Sequence, residues 1–244
     1  MVKWSLIILA AVILGITAIY LYIRQVWFYR DPVRIPPPGE NLILAPADGK
    51  IVYIYPFNTF NKGGVVSEKL GLPIRITEIT KGGAQDKSGW LIGIYMSPLD
   101  VHFNYAPLAG KITDIIYTPA VANLPMVDLW EYIRLTYFRK AVNLISHRYR
   151  LVNERLTLFI GHEHLDLALV EIADKFVNKI TCFVKPGQEV VKGHKLSFIE
   201  RGSQVDLVIF SQKIEPLVKV GQQVYGGQTP VCQFFPCKGE ENKT

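Results

Sequence analysis

Val184-Lys-Pro-Gly-Gln-Glu-Val-Val-Lys-Gly193 returns further along the chain as Val218-Lys-Val-Gly-Gln-Gln-Val-Tyr-Gly-Gly227. Glycine recurs where an extended chain must reverse, and valines stand where a half-buried strand turns its side chains inward. An earlier pair of echoes is Ala45-Pro-Ala-Asp-Gly-Lys-Ile51 and Ala106-Pro-Leu-Ala-Gly-Lys-Ile112. The period is too irregular for a solenoid. The two pairs instead predict two similar β half-domains packed as a sandwich. Short apolar or alternating runs surround them: Leu42–Leu44, Ile51–Tyr55, Trp90–Met96, Ile112–Tyr117, Leu156–Ile160, Asp166–Ile172, Lys195–Ile199 and Val205–Phe210. Most are bounded by Gly, Pro, Asn or Asp, as strands are. The expected fold class is mainly β (α+β).

The chain has 244 residues, enough for one substantial core or two small ones. It is 49% hydrophobic and 20% charged, a composition that excludes disorder. The net charge of +6 calls for an anionic partner, a membrane surface or a nucleic acid. The amino terminus chooses between them. Trp4 to Ile23 is uncharged and almost wholly apolar, long enough as a helix to cross about 30 Å of hydrocarbon. Trp4, Tyr20 and Tyr22 stand near its ends, where amphipathic rings prefer to sit. Arg24, Arg30 and Arg34 follow it, against Lys3 before it, so the larger C-terminal part is expected on the cytoplasmic face of a single-pass membrane protein. No nucleic-acid role is expected. The divisions read as an anchor over 1–24, a stiff proline-rich linker over 25–40, one domain over 41–238, and a polar tail over 239–244.

Three cysteines, Cys182, Cys232 and Cys237, make no disulfide framework, and no zinc-ligand spacing accompanies them. Met126 to Arg150 breaks the β rhythm with apolar residues at helical spacing and a cationic complement. It reads either as a helix lying in lipid headgroups or as one covering the open face of the sheet. Gly161-His-Glu-His164 lacks the helical spacing of zinc-protease histidines, so His162 and His164 are read as surface residues. No metal site is expected.

Chemistry concentrates in three places. In Phe198-Ile-Glu-Arg-Gly-Ser-Gln-Val-Asp206 a hydroxyl residue, Ser203, follows Gly202, whose carbonyl carbon no side chain shields. Attack by the Ser203 hydroxyl on that carbonyl would turn the peptide into an ester. Elimination across the Ser203 Cα–Cβ bond would then break the chain, and hydrolysis would leave a pyruvoyl group on the new amino terminus. In Tyr95-Met-Ser-Pro-Leu-Asp-Val-His-Phe-Asn-Tyr-Ala-Pro107 a strand ends and brings Asp100 and His102 toward a cleft. Asp48 lies in the turn Ala-Asp-Gly.

Taken in order, Phe28-Tyr-Arg-Asp-Pro32, Pro46-Ala-Asp-Gly-Lys-Ile51, Met96-Ser-Pro-Leu-Asp-Val-His102, Asn153-Glu-Arg155, Val184-Lys-Pro-Gly187 and Arg201-Gly-Ser203 resemble phosphatidylserine decarboxylase proenzymes of the short bacterial and archaeal class. The resemblance runs from about residue 28 to 225. It implies self-cleavage at Gly202–Ser203 into chains 1–202 and 203–244, which stay associated, with a homodimer as a further possibility. It also implies a covalent pyruvoyl cofactor made from Ser203. The substrate would be phosphatidylserine or its ether-linked counterpart archaetidylserine, decarboxylated at the headgroup to the ethanolamine lipid. Asp48 matches the aspartate tied to processing, and His102 matches a candidate acid/base near the substrate. One position departs: where longer members have a second histidine, this chain has Tyr105. Tyrosine is a poor base at its usual pKa near 10. Either His102 serves both steps or Asp48 acts without a histidine. The sandwich itself resembles biotinyl and lipoyl carrier domains, which leaves a carrier module or a catalytically inactive lipid-binding protein as rival readings. The carrier reading lacks the Met-Lys or Asp-Lys pair expected at a modified hairpin tip.

Overall fold

The computed structural model describes residues 2–58, 65–66, 74–82, 87–120, 123–126, 130, 134, 149–175, 180–200 and 203–235. Gly202, Cys237, the polar tail and nearly all of 127–148 lie outside the described residues. The first element, α1 (Val2–Tyr22), is a single apolar helix with its side chains exposed. One helical turn of π type, Ile23–Trp27, continues it. Together they are long and apolar enough to cross a membrane.

The rest is mainly strand. In chain order the strands are β1 (Leu42–Leu44), β2 (Gly49–Asn58), β3 (Val65–Val66), β4 (Ile74–Arg75), β5 (Gly89–Met96), β6 (Phe103–Tyr105), β7 (Gly110–Thr118) and β8 (Arg155–Gly161). There follow β9 (Asp166–Ala173), β10 (Ile180–Cys182), β11 (Glu189–Val190), β12 (Lys195–Ile199), β13 (Ser203–Ile209), β14 (Ile214–Pro216), β15 (Gln223–Val224) and β16 (Pro230–Phe234). A short helix, α2 (Ile76–Thr80), follows β4. The large sheet runs β11-β7-β8-β9-β13-β5-β2-β3-β4, with β15 paired to β2. Two three-stranded sheets, β1-β16-β14 and β10-β12-β6, complete the described β-structure.

Alternation sends side chains of the large sheet to two buried layers. Ile92, Ile94 and Met96 of β5 and Val205, Leu207 and Ile209 of β13 join the main core with Ile43, Leu196, Ile199, Val231 and Phe234 of the small sheets. Leu91, Tyr95 and Val208 turn the other way, into a second cluster with Ile76 and Ile79 of α2, Met126 and Tyr149. A sheet covered on both faces needs near-continuous apolar strands. The Leu167–Ile172 run and Leu156–Ile160 satisfy that.

The echoes pair in a nested order. Ile51 N–H donates to the Gln222 carbonyl at 3.0 Å and Gly221 N–H returns to the Ile51 carbonyl at 2.7 Å. In the same way Ile112 N–H donates to Gln188 at 2.8 Å and Gly187 N–H to Ile112 at 2.7 Å. The first turn therefore clamps the last hairpin, and the second turn clamps the earlier one. Leu44 N–H to the Pro107 carbonyl (2.9 Å) and Tyr105 N–H to the Pro46 carbonyl (2.7 Å) lock the two units to each other. Two glycines make the close approaches possible. A Cβ on Gly49, whose φ is +153°, would stand 2.3 Å from the Tyr95 carbonyl oxygen, and one on Gly93 would enter the Tyr53 ring.

Candidate active site

Ser203 opens β13, the strand held between β5 and β9 along all seven of its residues. Its register partners are Met96 and Ala173. Ser203 is fully buried, and among the described residues its hydroxyl meets only the Met96 thioether, 3.2 Å away. Thioether sulfur is a weak acceptor. The hydroxyl is thus held without a strong partner, at the end of a strand that is otherwise rigidly paired. A pyruvoyl group keeps serine's three carbons, with a methyl where the hydroxymethyl stood, and occupies no more room than serine, so the slot fits it.

Asp48 sits at the turn into β2, two strands from Ser203: Lys50 pairs with Tyr95, and Tyr95 with Gln204. At the matching place in the second echo the chain has Ala109, so the repeat differs where a carboxylate is presented. Arg34 Nη2 donates to both Asp48 oxygens at 2.8 Å, and the Gly226 N–H donates to Oδ1 at 2.8 Å. Burial raises the Asp48 carboxyl above its usual range, while Arg34 and Gly226 pull it down and Asp100 pushes it up again. Arg34 Nη1 also donates to Gln228 Oε1 at 2.8 Å, and its guanidinium lies over the Tyr105 ring. Burial raises the Tyr105 hydroxyl as well. It supplies no base at neutral pH.

His102 is fully buried in the loop between β5 and β6. Asp100 shapes that loop by accepting from the Ser97 N–H and hydroxyl at 2.9 and 2.6 Å, and from Gln223 at 3.1 Å. His102 Nδ1 lies 2.9 Å from the Asp100 carbonyl, which can only accept, so Nδ1 carries the proton. Nε2 is then a bare lone pair, buried and without a partner among the described residues. Desolvation lowers the imidazole to about 4, outweighing the raising effect of Asp100. The Phe28 ring closes over it at 4.1 Å. Ile199 N–H donates to the His102 carbonyl at 3.1 Å, so residues 200–202 alone separate this tie from Ser203.

Among the described residues no group of three His, Cys, Asp or Glu side chains could hold a metal ion. His162 and His164 lie with Phe234, Glu40 and Asn41 around a shallow surface hollow, far along the sheet from Ser203. Cys232 is buried and its thiol is pushed up to about 12. Two residues at or near the site went unread in the sequence: Arg34, taken only as a cytoplasmic charge, and Glu171, taken only as part of a strand. Glu171 carried a signal, a lone acid in an apolar run. Arg34 carried none, because its partners lie far along the chain.

A buried hydroxyl, a buried carboxylate and a neutral buried imidazole thus lie toward the same end of the sheet. The phosphatidylserine decarboxylase family profile matches residues 21–232. A protein of Chlorobium limicola named phosphatidylserine decarboxylase proenzyme is 27% identical over 219 residues, 90% of this chain and 83% of that one. One of Methanothermobacter thermautotrophicus, named "Putative archaetidylserine decarboxylase proenzyme", is 31% identical over 229 residues, 94% of this chain and 89% of that one. A third, from Cereibacter sphaeroides and named phosphatidylserine decarboxylase proenzyme, is 30% identical over 218 residues. The chain belongs to the phosphatidylserine decarboxylase family and is a decarboxylase.

Proposed function

We propose that this chain is a membrane-anchored, pyruvoyl-dependent decarboxylase of the serine headgroup of phosphatidylserine or archaetidylserine. It matures by attack of Ser203 on the Gly202 carbonyl, and its domain faces the cytoplasm. The observation that carries the reading is the buried Ser203 hydroxyl, bonded to no strong partner among the described residues, at the start of a central strand. The pyruvoyl group supplies a carbonyl that condenses with the headgroup amine and draws in the electrons left when CO₂ departs.

The chain's own groups divide the remaining work. His102 Nε2, neutral and without a partner among the described residues, takes the Ser203 hydroxyl proton as the oxygen attacks. Asp100 favours a protonated imidazole at His102, and Asp48, held by Arg34, adds negative charge beside Asp100. The Phe28 ring keeps water from His102. Cleavage leaves β13 paired on both sides, which supports a stable association of chains 1–202 and 203–244. The exposed apolar α1 supports the anchor.

Ser203→Ala removes the attacking hydroxyl. The expected result is one uncleaved, inactive chain on a denaturing gel, where the wild type gives two fragments. A Ser203→Ala protein that still runs as two fragments would overturn the proposal.

A further inference from the structure

Glu171 lies toward the C-terminal end of β9, within an otherwise apolar run from Leu167 to Ala173, and is fully buried. A buried acid must be hydrogen-bonded or give up its charge. Its Oε1 accepts from the Ser197 hydroxyl of β12, and Ser197 accepts from Asn104 Nδ2 of β6 at 3.0 Å. Its Oε2 has no hydrogen-bond partner among the described residues. On β8 and β13 its register neighbours are Leu156 and Val205. On β10 the Cys182 thiol stands near enough to feel its charge, and burial raises that thiol too. No cation offsets Glu171 from any of these strands. Burial holds it at about 8 despite Ser197 and Asn104, so it keeps its proton at neutral pH.

Its position gives that proton a use. Val205 pairs with Glu171 and Ser203 with Ala173, so Glu171 and Ser203 are diagonal neighbours whose side chains share the inner face of the sheet. Such diagonals are about 7–8 Å apart at Cα. A glutamic side chain and a group extending from residue 203 can close that gap directly or through one water. His102 does not suit the same task, since it rests as the neutral imidazole.

We propose that Glu171 is the acid that delivers a proton to the substrate's α-carbon at the Ser203 site. The assignment rests on the reading of Ser203 as the pyruvoyl precursor. When CO₂ leaves, its bonding electron pair stays on the substrate. The Glu171 O–H bond breaks, its proton forms the new Cα–H bond, and the carboxylate is held by Ser197 until solvent reprotonates it.

The test begins with the wild-type full chain in detergent. It should run as two fragments and become covalently fixed to a short-chain phosphatidylserine on borohydride treatment, seen as added mass. If it does neither, the pyruvoyl reading itself fails, whatever Glu171 does. Glu171→Gln keeps an acceptor for Ser197 but has no proton to give. It should still cleave and still be fixed by borohydride, and should lose the infrared band of a protonated carboxyl. Its turnover should fall by roughly two to four orders of magnitude. The wild-type rate should fall as pH rises through about 8, and that limb should be missing in Glu171→Gln. Ser197→Ala removes a bond that favours the carboxylate, so the limb should move to higher pH. A Glu171→Gln protein with turnover within a few-fold of wild type overturns the proposal. So does one that stays uncleaved, or a wild-type profile with no alkaline limb.

Discussion

His102 and Glu171 are both fully buried, and burial moves them in opposite directions because it penalises whichever form is charged. The consequence for stability has opposite signs. A glutamate raised to about 8 binds its proton more tightly folded than unfolded, so its contribution is complete below about 4.5 and is lost as pH rises toward 8. Glu171→Gln should therefore gain on the wild type across that window, at no more than roughly 1.4 kcal/mol per pH unit. Thermal melts of the full chains in detergent at several pH values check this, and a difference independent of pH would refute it. His102, lowered to about 4, works the other way: its contribution is present above about 6.5 and lost as pH falls toward 4. His102→Gln should flatten that acid limb. At this scale the sequence was partly legible. Ser203, His102 and Asp48 stand out through their neighbours along the chain, whereas their burial is a property of the packed sheets.

Strands were the most legible feature. Lys195–Ile199 and Leu42–Leu44 fall where the alternation put them, and Val205–Phe210 shifts to Ser203–Ile209 because Ser203 is itself paired. What patterning could not show is which echo joins which. Each Gly-rich hairpin suits either turn locally, and the nested choice is made by pairing over long sequence separations. The helical periodicity of Met126–Arg150 lies almost wholly outside the described residues. Two outcomes follow for the elements. Because β13 is paired with β5 and β9 along its length, the cleaved fragments should co-elute under native conditions and part only in denaturant. Fragments that separate without denaturant would contradict this. Gly93→Ala puts a Cβ into the Tyr53 ring, whose hydroxyl donates to Asp206 at 2.5 Å and accepts from Gln204 at 2.5 Å. Overpacking of this kind costs about 1–3 kcal/mol, and loss of the buried bonds adds to it. A melting temperature equal to wild type would show that Tyr53 moves freely.

On the scale of the whole molecule the apolar helix and the candidate site are one continuous piece of chain. From α1 the polypeptide passes directly over the site: Trp27 Nε1 and Arg30 Nη2 donate to the Leu99 carbonyl at 3.3 and 2.6 Å. Phe28 covers His102, and Arg34 pairs with Asp48. The prolines at 36–38 read as a stiff spacer, and nothing in the local sequence reveals that the residues just before them reach across to Gln228. Two truncations separate the apolar helix from the cover over His102. Removing residues 1–24 takes away the apolar helix and keeps Trp27, Phe28, Arg30 and Arg34, so the protein should fold and cleave itself. Removing residues 1–34 also strips the ring from His102 and leaves Asp48 buried beside Asp100 without its cation. Taking one partner from a buried pair costs about 3–5 kcal/mol, and Asp48 escapes most of it by taking up a proton. A protonated Asp48 no longer adds negative charge beside Asp100 and the His102 loop, so this shorter chain should remain uncleaved or cleave much more slowly. Arg34→Ala in the full-length chain should reproduce the defect with the anchor intact, and Arg34→Lys should restore part of it. Denaturing gels over a time course read all four proteins. Cleavage of the 1–34 deletion and of Arg34→Ala at the wild-type rate would show that Asp48 needs no partner from this segment.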